Sequence, residues 1–361
     1  MVQHLWSRRD FIKKAFLITG LASGGILLSQ TLHVFPPLTH ASALQVASTK
    51  DLGAVGKPSS VLVRDGGATV RLGNQLLWTF GDTLLRDNHT ILSNTAALAD
   101  IHHPLVTHEP LDARGLPYQL IPFTPEEQAY NELTGKPDDR IAIWPTSIIN
   151  YQDQGLIFSY KLHIKPGFLN YEFLGIVLAL VRSGETQATR LPGLLFSNPE
   201  PGFANAMVYQ EMVYVYGGNH AANNPYVVAR VPLDQVTNRR AYTFWDGKTW
   251  SSDVSNAQPV FTGIPGAVTI SYNDYLGRFL VTYSQPFSTN ILMCTGPEPV
   301  GSWSEPIVAF RGLSPFSNGY NYAGIEHPEL ARYEGRTVYV SYFNATGPFS
   351  GDLHLVEVNF V

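Results

Sequence analysis

Five times along the chain an apolar strand phrase ends on an aromatic residue, and this recurrence restricts the possible folds more than any other feature. The phrases are Leu76-Leu77-Trp78-Thr79-Phe80, Leu156-Ile157-Phe158-Ser159-Tyr160, Met212-Val213-Tyr214-Val215-Tyr216, Phe279-Leu280-Val281-Thr282-Tyr283 and Val338-Tyr339-Val340-Ser341-Tyr342. Their terminal aromatics lie 80, 56, 67 and 59 residues apart. Units of that length, each holding four short strands, are the mark of propeller blades. A second apolar strand and a tight turn precede each phrase, as in Ser147-Ile148-Ile149-Asn150 before Asp153-Gln154-Gly155. These pairs read as hairpins with Gly/Asn/Asp turn chemistry. A doubly wound α/β sheet would need helical periodicity between its strands. The expected fold is therefore all-β: a single-domain five-bladed β-propeller over residues 44–361. Its ring would close by pairing of residues near Leu44–Ser48 beside the last strand, Leu353–Val358, which covers an exposed edge.

The first 43 residues read as an export signal. Ser7-Arg8-Arg9-Asp10-Phe11-Ile12-Lys13 fits the twin-arginine pattern, an apolar run follows from Ala15 to Leu28, and Ala41-Ser42-Ala43 offers a small-residue cleavage site. The protein is thus expected outside the cytoplasm: extracellular, periplasmic or on the cell surface. It would meet a membrane only during export or through an uncleaved signal. Removing the segment takes away four basic residues and one acid, leaving 20 Lys+Arg against 28 Asp+Glu. An acidic chain without a basic stripe does not suit nucleic acid. The lone Cys294 excludes an intramolecular disulfide framework and a cysteine zinc site. Residues 101–140 carry six prolines and break the blade rhythm. They are expected to form a flap beside the channel mouth, with a short helix around Pro125–Leu133.

No cofactor or metal is expected. There is no G-x-S-x-G or H-E-x-x-H sequence, and in Gly53-Ala54-Val55-Gly56-Lys57 the spacing is short and Pro58 takes the Ser/Thr position of a phosphate loop. His102, His103, His108 and Glu109 lack ligand spacing, and Asp246-Gly247-Lys248-Thr249-Trp250 reads as a hairpin turn. Propeller geometry supplies the chemistry instead. The end of each second strand and the start of each first strand share one face of the ring. That face should collect Asp82, Trp144, Asn205, His220, and Tyr322 through His327, with Asp51 reaching the same mouth. Two carboxylates across an aromatic-rimmed pocket suit glycoside cleavage, one protonating the leaving oxygen and the other activating water or attacking the anomeric carbon. Asp51, Asp82 and Glu326 are the candidate catalytic acids. Trp144, Asn205, His220, Tyr322 and His327 are the candidate sugar-binding residues. Turn acids satisfied by backbone N–H groups are the competing assignment for Asp51 and Asp82.

Leu77-Trp78-Thr79-Phe80-Gly81-Asp82-Thr83, followed by Ser93-Asn94-Thr95-Ala96-Ala97-Leu98, resembles the domain-of-unknown-function family 4185. Ala229-Arg230-Val231-Pro232, Phe244 through Trp250, Gly301-Ser302-Trp303-Ser304 and His327-Pro328-Glu329-Leu330 do so as well, in the same order. The resemblance spans residues 48–361. It implies a five-bladed propeller, and some members of that family are endo-D-arabinanases of glycoside hydrolase family 183, which use aspartates near the start of the propeller. Asp51 in Lys50-Asp51-Leu52-Gly53 and Asp82 in Gly81-Asp82-Thr83 are the matching positions. Two functions stay open: an exported hydrolase of furanose-containing polysaccharide, arabinan first, and a non-catalytic carbohydrate-binding propeller using the same pocket.

Overall fold

The computed structural model describes residues 44–361 except 87–89, 168–169, 219–224, 263–266, 318–319 and 348–349. The expected export signal and His220 lie outside the described residues. The strands form five antiparallel sheets of four or five strands. Their innermost strands are Val61–Leu72, Arg140–Tyr151, Asn205–Tyr209, Val268–Asn273 and Tyr322–Glu326. Each touches the next in ring order and the fifth meets the first, so the molecule is a five-bladed β-propeller. The aromatic-ended phrases are the second strands: Gln75–Leu85, Gln154–Ile164, Met212–Gly218, Arg278–Ser284 and Thr337–Gly347. Val46–Ala54 closes the ring as the outer strand of blade five, antiparallel to Ser350–Phe360 from Val46↔Phe360 to Ala54↔His354.

The repeated aromatics have a packing reason. Second strands are covered on both faces by neighbouring blades, so they read as continuous apolar runs rather than alternating ones. Phe80, Tyr160, Tyr216, Tyr283 and Tyr342 are all buried. A buried tyrosine hydroxyl needs a partner, and two of these find it on the following blade's connections. Tyr160 donates to the Gly202 carbonyl at 3.2 Å and Tyr216 to that of Pro299 at 2.7 Å. The core accordingly lies between blades, as where Phe158 of blade two shares a cluster with Phe203 and Phe244 of blade three.

Residues 101–140 are more ordered than their prolines imply. His103–His108 is the fourth strand of blade one, pairing Leu98↔His108. As an edge strand it tolerates Pro104, whose missing N–H would face away from the sheet. Pro125–Thr134 is a helix with Thr124 and Glu127 in a capping box. Glu127 also pins the helix to blade two through Lys161 at 2.6 Å and through Arg190. Burial alone would raise the Glu127 carboxyl, but the hydrogen bonds from Arg190, Lys161 and the Thr124 N–H outweigh it and bring it to about 2.

Candidate functional site at the mouth of the ring

The inner strand of blade one is distorted where chemistry is concentrated. Its pairing with the second strand runs Arg64↔Thr83 and then Gly66↔Phe80, so Asp65 bulges opposite Gly81 and Asp82. Bulges re-aim side chains and often border active sites. The distortion needs Gly66 and Gly67, whose φ values of 81° and 115° are open to glycine at little cost. Gly81 is equally constrained: a Cβ there would lie 2.7 Å from Asp65 Oδ1. The Asp65 carboxylate therefore sits directly against the residue preceding Asp82.

Asp82 is 1% exposed and held by two side chains from the start of blade two. Arg140 Nη2 donates to Oδ2 at 2.6 Å and the Trp144 indole N–H donates to Oδ1 at 2.9 Å. Burial raises the Asp82 carboxyl above its ordinary range, and Arg140 and Trp144 draw back only part of that. Across the bulge, the Tyr322 hydroxyl of blade five donates to Asp65 Oδ2 at 3.1 Å. Blades one, two and five thus converge on two neighbouring carboxyls, one of which is biased toward its protonated form.

Arg140 also borders a cleft of about 820 Å³, between the flap helix, residues 90–93 and Gln119. Its Nη1 is buried and has no hydrogen-bond partner among the described residues. Arg64, next to Asp65, fastens the flap to the same region. It pairs with Glu109 at 2.7 Å, donates to the Gly56 carbonyl and lies 3.8 Å from the centre of the Phe80 ring. Glu109, considered in the sequence as a metal ligand, is committed to this ion pair.

The remaining expected site residues are dispersed. Asn205 and Glu326 line the central channel, a cavity of about 440 Å³ bounded by inner strands of all five blades. His327 is fully buried, packs with its ring tilted 56° to that of Trp78 at 4.8 Å, and brings Nδ1 within 2.5 Å of Thr69 Oγ1. Burial lowers it to about 3. It is a neutral core residue, not a sugar contact, because no face of the ring reaches the channel.

Asp51 does not reach the mouth. Registers run Asp51↔Val356, Val356↔Val340 and Val340↔Glu326, so Asp51 lies three strand spacings, roughly 14 Å, outward from the channel strand. There it contacts His354 Nδ1 at 3.1 Å, accepts from the Tyr342 hydroxyl at 3.3 Å and caps the Gly53 N–H at 2.8 Å. These contacts clasp the closing strand to blade five. Asp51→Ala is expected to cost about 1 kcal/mol of stability, as read by urea melts, and to leave the protein's activity unchanged. Lost activity at an unchanged midpoint would return Asp51 to the site.

In the channel, Ser271 Oγ donates to Glu326 Oε2 at 2.8 Å and Thr69 Oγ1 donates to Glu329. Burial raises Glu326 to about 8 and Glu329 to about 7. Glu329 and His327 lie 3.9 Å apart, yet the histidine is neutral wherever the glutamate is charged. The unfolded chain releases both glutamate protons near 4.5, whereas the folded protein keeps them. Their stabilisation is complete below that pH and is lost as pH rises to 8. His327 acts oppositely and only below its unfolded value of 6.5. Melting temperature is therefore expected to fall between pH 6.5 and 8, and Glu326→Gln, which mimics the protonated side chain, should flatten that fall. An unchanged slope in the variant would refute the assignment.

Asp65 and Arg140 were not singled out from the sequence. Asp65-Gly66-Gly67 inside an apolar strand was the available signal, since paired glycines there mark a bulge. Arg140 had none: its role depends on blade two standing beside blade one.

Comparison with curated protein sequences gives no match. Among solved structures, a putative hydrolase from Bacteroides ovatus ATCC 8483 is similar, with TM-score 0.60 and 16% identity, over 83% of this chain and 87% of that one. The alpha-L-arabinofuranosidase of Podospora anserina in complex with cellotriose has TM-score 0.51 and 9% identity, over 87% and 97%. The GH43_1 enzyme from Xanthomonas citri complexed with xylose has TM-score 0.51 and 11% identity, over 84% and 89%. At such identities the likeness is one of fold. Residues 183–345 match the sequence pattern of the domain of unknown function DUF4185, so that stretch of the five-bladed β-propeller is similar to this domain.

Proposed function

We propose that the protein is an exported glycoside hydrolase that cleaves a furanose-containing polysaccharide, with arabinan the first substrate to test. The observation that carries this reading is that two buried carboxyls, Asp82 and Asp65, sit at adjacent positions of blade one, each held by side chains from a neighbouring blade. Asp82, raised by burial, suits the proton donor to the leaving oxygen. Asp65, which accepts from Tyr322, suits the partner that activates water or attacks the anomeric carbon. Trp144 and Arg140 hold the donor in place. The solved arabinofuranosidase and GH43_1 enzyme share the ring architecture and support the choice of sugar substrates.

A carbohydrate-binding propeller without catalysis is the second reading. It is favoured by one observation: both Asp82 oxygens already hold partners. Incubation with arabinan, arabinogalactan and xylan, followed by measurement of released reducing ends, separates the two. Release from one polymer that Asp82→Asn abolishes supports the hydrolase. Polymer binding with no release from any of them supports the binding module.

A further inference from the structure

Phe287 presents a large ring to solvent, 59% exposed, from a backbone with φ of 52°. A left-handed conformation at a bulky residue costs on the order of 1–3 kcal/mol and tends to mark functional positions. The turn that carries it is braced. Gln285 N–H donates to the Asn290 carbonyl at 2.9 Å, Asn290 Nδ2 donates to Gln285 Oε1 at 2.7 Å, and Asn290 N–H donates to Ser288 Oγ at 3.1 Å. This turn follows the second strand of blade four, Arg278–Ser284, at the same end of the ring as Asp82 in blade one. The exposed ring therefore stands at the end of the molecule to which the Asp82 strand also leads.

From Phe287 the rings continue inward. Phe287 meets Tyr320 edge-to-face at 5.5 Å, and Tyr320 meets Tyr322 at 5.8 Å. Tyr322 in turn donates to Asp65. The half-buried Tyr320 hydroxyl is raised to about 12 by burial and by the Asp65 charge, which places it within electrostatic reach of that carboxylate. An unbroken run of three aromatic side chains thus leads from solvent in blade four to the carboxyls in blade one.

We propose that the exposed face of Phe287, with Tyr320 beside it, is a stacking subsite for one sugar ring of a polysaccharide chain whose neighbouring portion lies at Asp65 and Asp82. The inference rests on the hydrolase reading above and deepens it. The C–H face of a sugar covers an aromatic ring while its hydroxyls stay at the wet rim, so such a site needs no buried polar partner. It also explains why a ring is kept exposed where burial would otherwise stabilise the fold.

Native gels cast with arabinan, arabinogalactan or xylan test the subsite, with polysaccharide-free gels as reference. Wild type is expected to be retarded by at least one polymer. Phe287→Ala should weaken that retardation about tenfold in apparent Kd, Phe287→Trp should restore it, and Asp82→Asn should remain retarded. In hydrolysis, Phe287→Ala should raise KM on the polymer about tenfold with kcat unchanged. It should have no effect on p-nitrophenyl arabinofuranoside, whose single sugar does not extend to the subsite. Unchanged retardation and KM in a Phe287→Ala protein with wild-type melting would overturn the subsite while leaving the hydrolase reading intact. Retardation sensitive to Phe287 without any hydrolysis would sustain the subsite and remove the hydrolase. No retardation by any of the three polymers would overturn the subsite.

Discussion

Asp82→Asn is expected to lower polysaccharide hydrolysis by about 10²–10⁴-fold, the range for loss of a positioned proton-transfer group. The substitution keeps the shape of the side chain and an oxygen for the Trp144 indole, but it cannot exchange a proton. It also leaves Arg140 without its charge partner in a buried place, so stability must be measured beside activity. Trp144→Phe separates chemistry from folding. Losing the indole N–H removes a contact that lowers the Asp82 carboxyl. The Asp82-dependent limb of the pH–rate profile should therefore move to higher pH. For a proton donor that limb is the alkaline one, where activity falls as the carboxyl ionises. A purely structural Asp82 would leave the profile in place when Trp144 is changed. Near-normal hydrolysis by a folded Asp82→Asn protein would end the assignment.

Arg64→Ala is expected to destabilise the protein by about 3–5 kcal/mol, because it strands Glu109 as an unpaired buried charge. Both side chains of the pair are 3% exposed. Burial lowers Arg64 and raises Glu109, and in each case the partner's charge offsets only part of the effect. Desolvation therefore outweighs attraction, and the double change Arg64→Met with Glu109→Leu should recover most of the lost stability. Since Glu109 follows the outer strand of blade one, Arg64→Ala should also speed proteolysis within residues 101–140. Chemical denaturation of the two singles and the double gives the coupling directly. A single Arg64→Ala variant as stable as wild type would show that the ion pair does not hold the flap.

Blade number and ring closure were legible in the chain because they depend on local periodicity. Five runs such as Met212–Tyr216 are apolar on both faces, and each can be satisfied only between two neighbouring sheets. Ring closure follows the same logic: Ser350–Phe360 would leave an open edge unless Val46–Ala54 pairs beside it. The fourth strand at His103–His108 was obscured because prolines are tolerated at sheet edges, where no neighbour needs the N–H. The site was legible only in part. Gly81-Asp82-Thr83 could be placed on the correct face from strand order, but its partner could not. Asp51 matched the expected pattern and lies in the clasp of blade five, whereas Asp65 was brought beside Asp82 by a bulge that local sequence marks only as two glycines. Arg140 and Trp144 are 58 and 62 residues from Asp82 along the chain, and Tyr322 is 257 from Asp65. Strand periodicity is a property of neighbouring residues and can be read along the chain. Which carboxyl meets which donor depends on how five sheets close around one axis, and that arrangement exists only in the folded ring.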